Sequence, residues 1–147
     1  MSIERRALQV CVVIGSLVPL SAGLFGAVTG AALTGDYLSP SGDSHMRYLS
    51  GLLYGIGLCF LSTVPAIEDK TERFRLLTII VLTGGIFRVV ALRAGPWPSP
   101  FMLAGATMEL VVTPLLCLWQ ARIARRAVAA RPAGMDRQTL LPERGQC

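Results

Sequence analysis

Charged residues are scarce in this sequence. Asp, Glu, Lys and Arg make up 16% of its 147 residues, whereas hydrophobic residues make up 52%. Average soluble domains carry about 25% charged residues. The mean hydropathy is +0.56, which excludes an ordinary soluble domain and is typical of a protein that lies in a membrane.

Motifs for cofactors, metals and nucleic acids are also missing. There is a single histidine, and no two of the four cysteines form a CxxC pair, so neither a zinc site nor a disulfide framework is indicated. No phosphate-binding glycine loop, dinucleotide fingerprint or pairing of a nucleophile with a base is present. The net charge is +5, but the basic residues do not cluster between aromatic residues as they do in nucleic-acid-binding surfaces. The sequence therefore predicts no cofactor, no metal, no nucleic-acid partner and no catalytic residue, and it favours a protein that is not an enzyme.

Four long apolar runs are what the sequence does contain. They cover residues 7–33, 48–67, 76–92 and 101–119, and the charged residues within them are Arg88 and Glu109. A helix of about 20 residues crosses the hydrocarbon of a bilayer, so each run predicts a transmembrane helix. The first run is too long for a secretory signal and lacks an A-x-A cleavage site. The expected fold is all-α, an integral membrane four-helix bundle.

Basic residues are distributed unequally between the two sides of this bundle. Arg47 and Arg93 fall on one side, and eleven basic residues fall on the other. The eleven are Arg5, Arg6, Lys70, Arg73, Arg75, Arg122, Arg125, Arg126, Arg131, Arg137 and Arg144. Because Arg and Lys are retained in the cytoplasm, we expect a multi-pass protein of the inner cell membrane with both termini cytoplasmic. Residues 1–6 would then be a cytoplasmic N-terminus, residues 7–122 the membrane domain, and residues 123–147 a largely disordered cytoplasmic tail.

Glycines recur at helical spacing in all four predicted helices, and in the first they include Gly15, Gly23 and the Gly26-x-x-x-Gly30 pair. Lipid gives helices no hydrophobic reason to associate, so small residues that allow close backbone approach must help to hold a membrane bundle together. We expect five glycines to lie at such contacts within one chain. These are Gly51, Gly55, Gly84, Gly85 and Gly105.

Arg88 and Glu109 are the charges that lipid would penalise. An unpaired charge at the centre of a membrane helix costs about 2.5–3.5 kcal/mol or more. Counted from the outer ends of the third and fourth helices, Arg88 lies about 7.5 Å deep and Glu109 about 13 Å deep. Side chains lean towards the N-terminus of their helix, so on antiparallel helices these two lean towards each other. The sequence predicts a direct or water-bridged salt bridge between them.

This pair has three interpretations. In the first, the pair has no role beyond fixing the register of two helices. In the second, it lines a pocket that binds a ligand. In the third, Glu109 takes up and releases protons. Asp36, Asp43, His45 and Arg47 lie on the predicted outer side and could form the mouth of a pocket. Arg47 is therefore a third candidate site residue.

The leading functional hypothesis follows from the missing motifs: a non-catalytic accessory subunit, or a binder of a small lipophilic molecule. Its partners would be the lipid bilayer and either that molecule or another membrane protein. The second hypothesis is a small proton-coupled transporter that uses Glu109, although a neighbouring cation such as Arg88 stabilises an ionised carboxylate. The third is a membrane enzyme that acts on a lipid or quinone with Glu109 as acid or base.

Three parts of the sequence resemble a known family. They are SHMRYLSGLLYGIGL in the second run, GGIFRVVALRAGPWP in the third run and the loop after it, and Glu109 in the fourth. They resemble the bacterial four-helix membrane proteins catalogued as domain of unknown function 4345, over about residues 8–120. The resemblance implies a four-helix membrane fold and no known activity. By this resemblance the landmark residues would be Arg47, Gly51, Gly85, Arg88, Gly95, Pro96 and Glu109.

Overall fold

The computed structural model describes residues 3–30, 39–92 and 100–130, and the regular structure within these ranges is helical. The helices are α1 (Ile3–Thr29), α2 (Pro40–Leu61), α3 (Thr71–Leu92), α4 (Pro100–Thr107) and α5 (Thr113–Ala129). A 3₁₀ turn, Val64–Ala66, follows α2, and a π-helical turn, Met108–Val112, joins α4 to α5. Since α4, the π-helical turn and α5 run on as one helix, the described chain has four long helices, as predicted.

Three of the four are long and apolar enough to cross a membrane. They are Ile3–Thr29, Pro40–Ala66 and Pro100–Ala129. Large apolar side chains point outwards from the bundle: Phe87, for example, is 69% exposed. Exposed apolar surface of this kind marks contact with a membrane or a partner. The all-helical prediction is confirmed, and the three apolar helices indicate a membrane protein.

The beginning of α2 differs from the sequence-based prediction. The second apolar run begins at residue 48, but α2 already begins at Pro40. Ser39 is the N-cap, and its hydroxyl accepts a hydrogen bond from the amide of Gly42 at 3.2 Å. Proline is well tolerated in the first helical turn, where its missing N–H would have no partner. The same residue types that favour turns therefore also start this helix.

The later helices also extend beyond the apolar runs. Helix α3 begins at Thr71 rather than at residue 76, and α5 continues to Ala129 rather than ending near residue 119. These end turns contain charged residues, which is why the apolar runs did not include them. Several predictions fall on residues outside the described ranges. They concern Asp36, Arg93, Gly95, Pro96 and the tail after residue 130.

Helices α1 and α2 form a close hairpin. A Cβ built at Gly23 would lie 2.7 Å from the carbonyl oxygen of Ser50, and one at Gly57 would lie 2.8 Å from Cγ of Leu20. Such distances leave no room for a larger residue at either position. Helix α3 packs along α5 and the π-helical turn, so that α3, α4 and α5 form a second antiparallel hairpin.

The two hairpins meet at one end of the molecule, which we call the basal end. There α1 begins, α2 ends, α3 begins and α5 ends. The apolar core of the described residues lies at this end. Its buried members are Leu8, Val12, Phe60, Ile67, Phe74, Leu77 and Ile123. The rings of Phe60 and Phe74 meet edge to face with centroids 5.2 Å apart, which joins α2 to α3.

Polar bonds supplement the core at the basal end. Gln120 of α5 is fully buried, and its Nε2 donates to the carbonyl of Ile67 at 2.7 Å and to the Thr71 hydroxyl at 2.9 Å. Arg5 of α1 pairs with Glu68 at 3.0 Å. These bonds tie α1 and α5 to the connection between α2 and α3.

The predicted packing role of three glycines is not found within the described chain. A Cβ built at Gly51, Gly55 or Gly84 would meet no heavy atom of the described residues within 4 Å. The physical reason is that Gly51 and Gly84 are exposed, so neither faces a neighbouring helix closely. The tight contacts between α1 and α2 lie at Gly57 and at two glycines of the first helix whose spacing had indicated packing, Gly23 and Gly26.

Candidate ligand-binding site

The local shape of the fourth helix around Glu109 depends on Pro114. Proline has no amide hydrogen for the carbonyl four residues earlier, and its ring crowds that carbonyl. Here the amide of Thr113 donates to the carbonyl of Met108, five residues back, and the Thr113 hydroxyl donates to the same oxygen at 2.8 Å. The result is the π-helical turn Met108–Val112, which holds Glu109. Single π-helical turns within α-helices occur frequently at functional sites.

Arg88 and Glu109 form a bidentate ion pair between the third and fourth helices. Nε of Arg88 donates to Oε2 of Glu109 at 2.8 Å, and Nη2 donates to Oε1 at 2.7 Å. The side chains are 38% and 18% exposed, respectively. Both carboxylate oxygens therefore have a charged partner, and the pair is neutral as a unit.

Two of the predicted glycines lie against this pair. A Cβ built at Gly85 would lie 2.9 Å from the Cβ of Glu109, closer than real Cβ contacts allow. A Cβ at Gly105 would lie 3.6 Å from Cζ of Arg88, which is ordinary van der Waals contact. Gly85 is thus required for the approach of α3 to the π-helical turn, whereas Gly105 leaves space beside the guanidinium.

A cavity of about 590 Å³ lies between the two hairpins and reaches the ion pair. Phe60 and Phe74 line it at the basal end, and Arg88 and Glu109 line it higher up. Phe101, at the start of α4, also lines the cavity and is 87% exposed, so the cavity is open on that side. Helix α4 packs against α3 and not closely against α1 or α2 among the described residues, which leaves the hairpins apart there.

The cavity lining is apolar apart from four side chains. These are Ser16, Arg88, Glu109 and Thr113. Ligand pockets are typically lined by apolar side chains with a small number of placed polar groups, and have volumes of about 300–1,000 Å³. In size and lining, this cavity is suited to a small lipophilic molecule.

The structure places Arg47, the third candidate site residue, elsewhere. Its Nη1 donates to the carbonyls of Ala27 and Val28 at 2.9 and 2.7 Å, and its Nε donates to Oδ2 of Asp43 at 2.8 Å. Arg47 therefore satisfies carbonyls at the C-terminal end of α1, where helices leave such groups without partners. Neither Arg47, Asp43 nor the exposed His45 lines the cavity.

The apolar part of the site was not foreseen from the sequence. Its lining residues come from four helices, and their types are those of any membrane helix. The position of Pro114, five residues after Glu109, was the available signal for a distorted turn at the carboxylate. Within the described ranges, no group of three or more His, Cys, Asp or Glu side chains could hold a metal ion.

Comparison with known proteins identifies a family. A family model described as "Domain of unknown function (DUF4345)" matches residues 7–120. Searches of curated proteins and of solved structures gave no match. Because the family model covers most of the chain, the chain belongs to the DUF4345 family, as the sequence motifs had indicated.

Proposed function

We propose that this DUF4345 protein is a non-catalytic integral membrane protein that binds a small lipophilic molecule in the cavity between its two hairpins. The observation that carries the proposal is the continuity of the cavity of about 590 Å³ with the Arg88–Glu109 pair. A pair that only fixed helix register would be expected to lie in a closed contact, because protein interiors are packed to nearly crystalline density. Here the pair lines an apolar space instead.

The proposal includes four transmembrane helices, with both termini on the cytoplasmic side of the inner cell membrane. Helix α3 has 22 residues, enough to cross the hydrocarbon, and packs antiparallel to the fourth helix. The basal end carries the basic residues at the start of α1, at the start of α3 and in the last turns of α5, whereas Arg47 lies at the opposite end. This asymmetry supports a cytoplasmic basal end.

Filling the cavity tests the binding proposal. Gly84 lines the cavity, and a Cβ there meets no described atom within 4 Å. Since the Cβ has room there, Gly84→Leu should place its side chain in the cavity. Gly51→Leu is the matched control: it is also an exposed helical glycine with no described neighbour within 4 Å, and it does not line the cavity.

The probe is a methyl palmitate analogue with a photoreactive diazirine on its chain, incorporated with the protein into phosphatidylcholine nanodiscs. After illumination, mass spectrometry identifies the labelled peptides. We expect labelling of cavity-lining segments in the unaltered protein and in Gly51→Leu. In Gly84→Leu this labelling should fall about tenfold, because a side chain that fills part of a pocket lowers the binding free energy of the ligand by about 1–3 kcal/mol. Labelling confined to the outward helix faces, and equal in all three proteins, would refute a binding cavity.

The proton-coupled transporter and the membrane enzyme both require Glu109 to exchange a proton. Glu109→Gln removes that proton but retains much of the shape and hydrogen bonding. The proposed binder should keep part of its probe labelling in this variant. A transporter or an acid–base enzyme would instead lose its activity completely. Cells that carry only the Glu109→Gln variant would then have the same phenotype as cells in which the gene is deleted.

A further inference from the structure

The cavity presents hydrogen-bond donors at one place only among the described residues. The Ser16 hydroxyl donates to the carbonyl of Val12 at 2.7 Å, and the Thr113 hydroxyl donates to that of Met108 at 2.8 Å. Both hydroxyl protons are thus used within their own helices. Arg88 uses the N–H of Nε and one N–H of Nη2 for Glu109, which leaves the second N–H of Nη2 and both of Nη1 without an acceptor among the described residues.

Nη1 of Arg88 lies beside the space that Gly105 leaves. A Cβ built at Gly105 would lie 3.8 Å from Nη1. An arginine nitrogen without an acceptor in an apolar site is costly, because a donor that loses water needs a replacement partner. The group that binds here should therefore be an acceptor.

The charge of the site limits the acceptor further. Glu109 already neutralises Arg88 through two hydrogen bonds. An anionic ligand would leave a net negative charge, and a cationic ligand a net positive one, at a depth where unpaired charge is strongly disfavoured. A neutral acceptor, such as an ester, ketone or ether oxygen, can accept a hydrogen bond from Nη1 without leaving an unpaired charge.

The shape of the cavity indicates how the rest of the ligand lies. The lining of α3 runs from Arg88 down to Phe74, which corresponds to about 21 Å of helix. This path is long and apolar, and it ends at the rings of Phe60 and Phe74. It fits one extended hydrocarbon chain better than a bulky headgroup.

Resting on the proposed function, we infer that the ligand is an uncharged, single-chain amphiphile whose polar head accepts a hydrogen bond from Nη1 of Arg88. Its chain follows α3 towards Phe74. The Arg88–Glu109 pair then acts as a selectivity element that admits neutral polar heads and rejects ionised ones.

Four photoreactive probes with the same chain and different heads test this inference. They are the diazirine analogues of methyl palmitate, hexadecane, hexadecanesulfonate and hexadecyltrimethylammonium, each at the same mole fraction in phosphatidylcholine nanodiscs. Labelling of cavity-lining peptides in the unaltered protein is compared between probes. We expect methyl palmitate to exceed hexadecane by about tenfold, the effect of one hydrogen bond to a charged group. It should exceed the two ionised probes by about tenfold or more, because each would leave an unpaired charge in the site.

The outcomes separate this inference from the proposed function. Cavity labelling that is equal for all four probes, or strongest for the sulfonate or the ammonium probe, overturns the inference while the binding cavity stands. The absence of cavity labelling with every probe refutes the proposed function itself. Strongest labelling by methyl palmitate supports the inference.

A double variant provides the second measurement. Arg88→Met with Glu109→Leu removes the donor and both charges together, so no unpaired charge remains. The preference for methyl palmitate over hexadecane should fall from about tenfold to about one, while labelling by hexadecane persists. If the preference survives in a folded double variant, the head does not bind at Arg88. The comparison of probes on the unaltered protein decides the question if this variant does not fold.

Discussion

Gly85 lies directly against Glu109: a Cβ built on this glycine would lie 2.9 Å from the Cβ of Glu109. The same Cβ would also lie 2.9 Å from Cδ2 of Leu110. Helix α3 therefore approaches the π-helical turn as closely as a glycine permits. Since Arg88 follows one turn later on α3, this contact positions the guanidinium against the carboxylate.

Gly85→Ala should force α3 away from the π-helical turn and lower stability by about 1–3 kcal/mol, the usual cost of overpacking. Gly84→Ala is the neighbouring control, because a Cβ there meets no described atom within 4 Å. Replacing glycine by alanine raises helix propensity by about 1 kcal/mol in both variants. The difference between their free energies of unfolding therefore measures the cost of the contact at Gly85. Unfolding in detergent, followed by circular dichroism, measures both. Equal stabilities would show that α3 does not approach the turn closely.

The ion pair could be predicted from the sequence because few physical solutions exist for two charges in lipid. Side chains lean towards the N-terminus of their helix, so on antiparallel helices Arg88 and Glu109 lean towards each other. The structure contains a direct contact between them. Which glycines make contacts could be predicted only in part: Gly23 and Gly26 of the first helix lie against α2. A GxxxG pattern identifies a smooth helix face but not its neighbour, and Gly51 and Gly55 have no close neighbour in the described chain.

Neither the cavity nor the π-helical turn could be predicted from the sequence, for different reasons. A cavity is the space left after four helices pack, and residues such as Phe60 and Phe74 have the same identity whether they fill a core or line a space. The turn results from competition between Pro114 and the carbonyls before it, which either bends a helix or shifts its hydrogen bonds. A proline such as Pro114 disturbs a helix, but the sequence does not determine which of these two forms the disturbance takes.

Arg47 should contribute to stability without contributing to ligand binding. Arg47→Gln removes the donors to the carbonyls of Ala27 and Val28, and because the side chain is 43% exposed, we expect a loss of about 1 kcal/mol at most. Labelling of the cavity by the methyl palmitate probe should not change. A loss of labelling comparable with that of Gly84→Leu would place Arg47 in the binding site after all.

Gln120 should be a major determinant of stability at the basal end. Gln120→Ala leaves the carbonyl of Ile67 without its partner and removes volume from a fully buried position, which should cost about 2–4 kcal/mol. Gln120→Met keeps most of the volume and should cost less. The exposed Arg122→Ala serves as the control and should change stability by about 0.5 kcal/mol or less. Thermal unfolding in detergent distinguishes the three, and a neutral Gln120→Ala would contradict the assigned bonds.

The proposed orientation can be measured with single cysteines in a variant whose native cysteines are replaced by alanine. Ser41 and Glu72 are exposed at opposite ends of the bundle. In intact cells, Ser41→Cys should react with a membrane-impermeant maleimide, whereas Glu72→Cys should react only after permeabilisation. A reporter fused to the C-terminus should be cytoplasmic. The reverse pattern of reactivity would invert the topology.

The energetic coupling of Arg88 and Glu109 can be obtained from a double-mutant cycle with Arg88→Met and Glu109→Leu. Each single change leaves one charge without its partner in an apolar site, so each should destabilise the protein by about 3 kcal/mol. The double variant leaves no charge unpaired and should recover much of this loss. The coupling energy is the difference between the double effect and the sum of the single effects, and strictly additive effects would show that the two side chains depend on other partners.

The same variants distinguish a ligand site from a pair that fixes helix register. If the pair only fixes register, the apolar double variant should fold and also retain the phenotype of the unaltered gene, because packing can replace the ion pair. If the pair is the polar part of a ligand site, the double variant should fold but fail to complement a gene deletion, since the donor at Nη1 is lost. Full complementation by a stably folded double variant would therefore remove Arg88 and Glu109 from the functional site and leave them as structural residues.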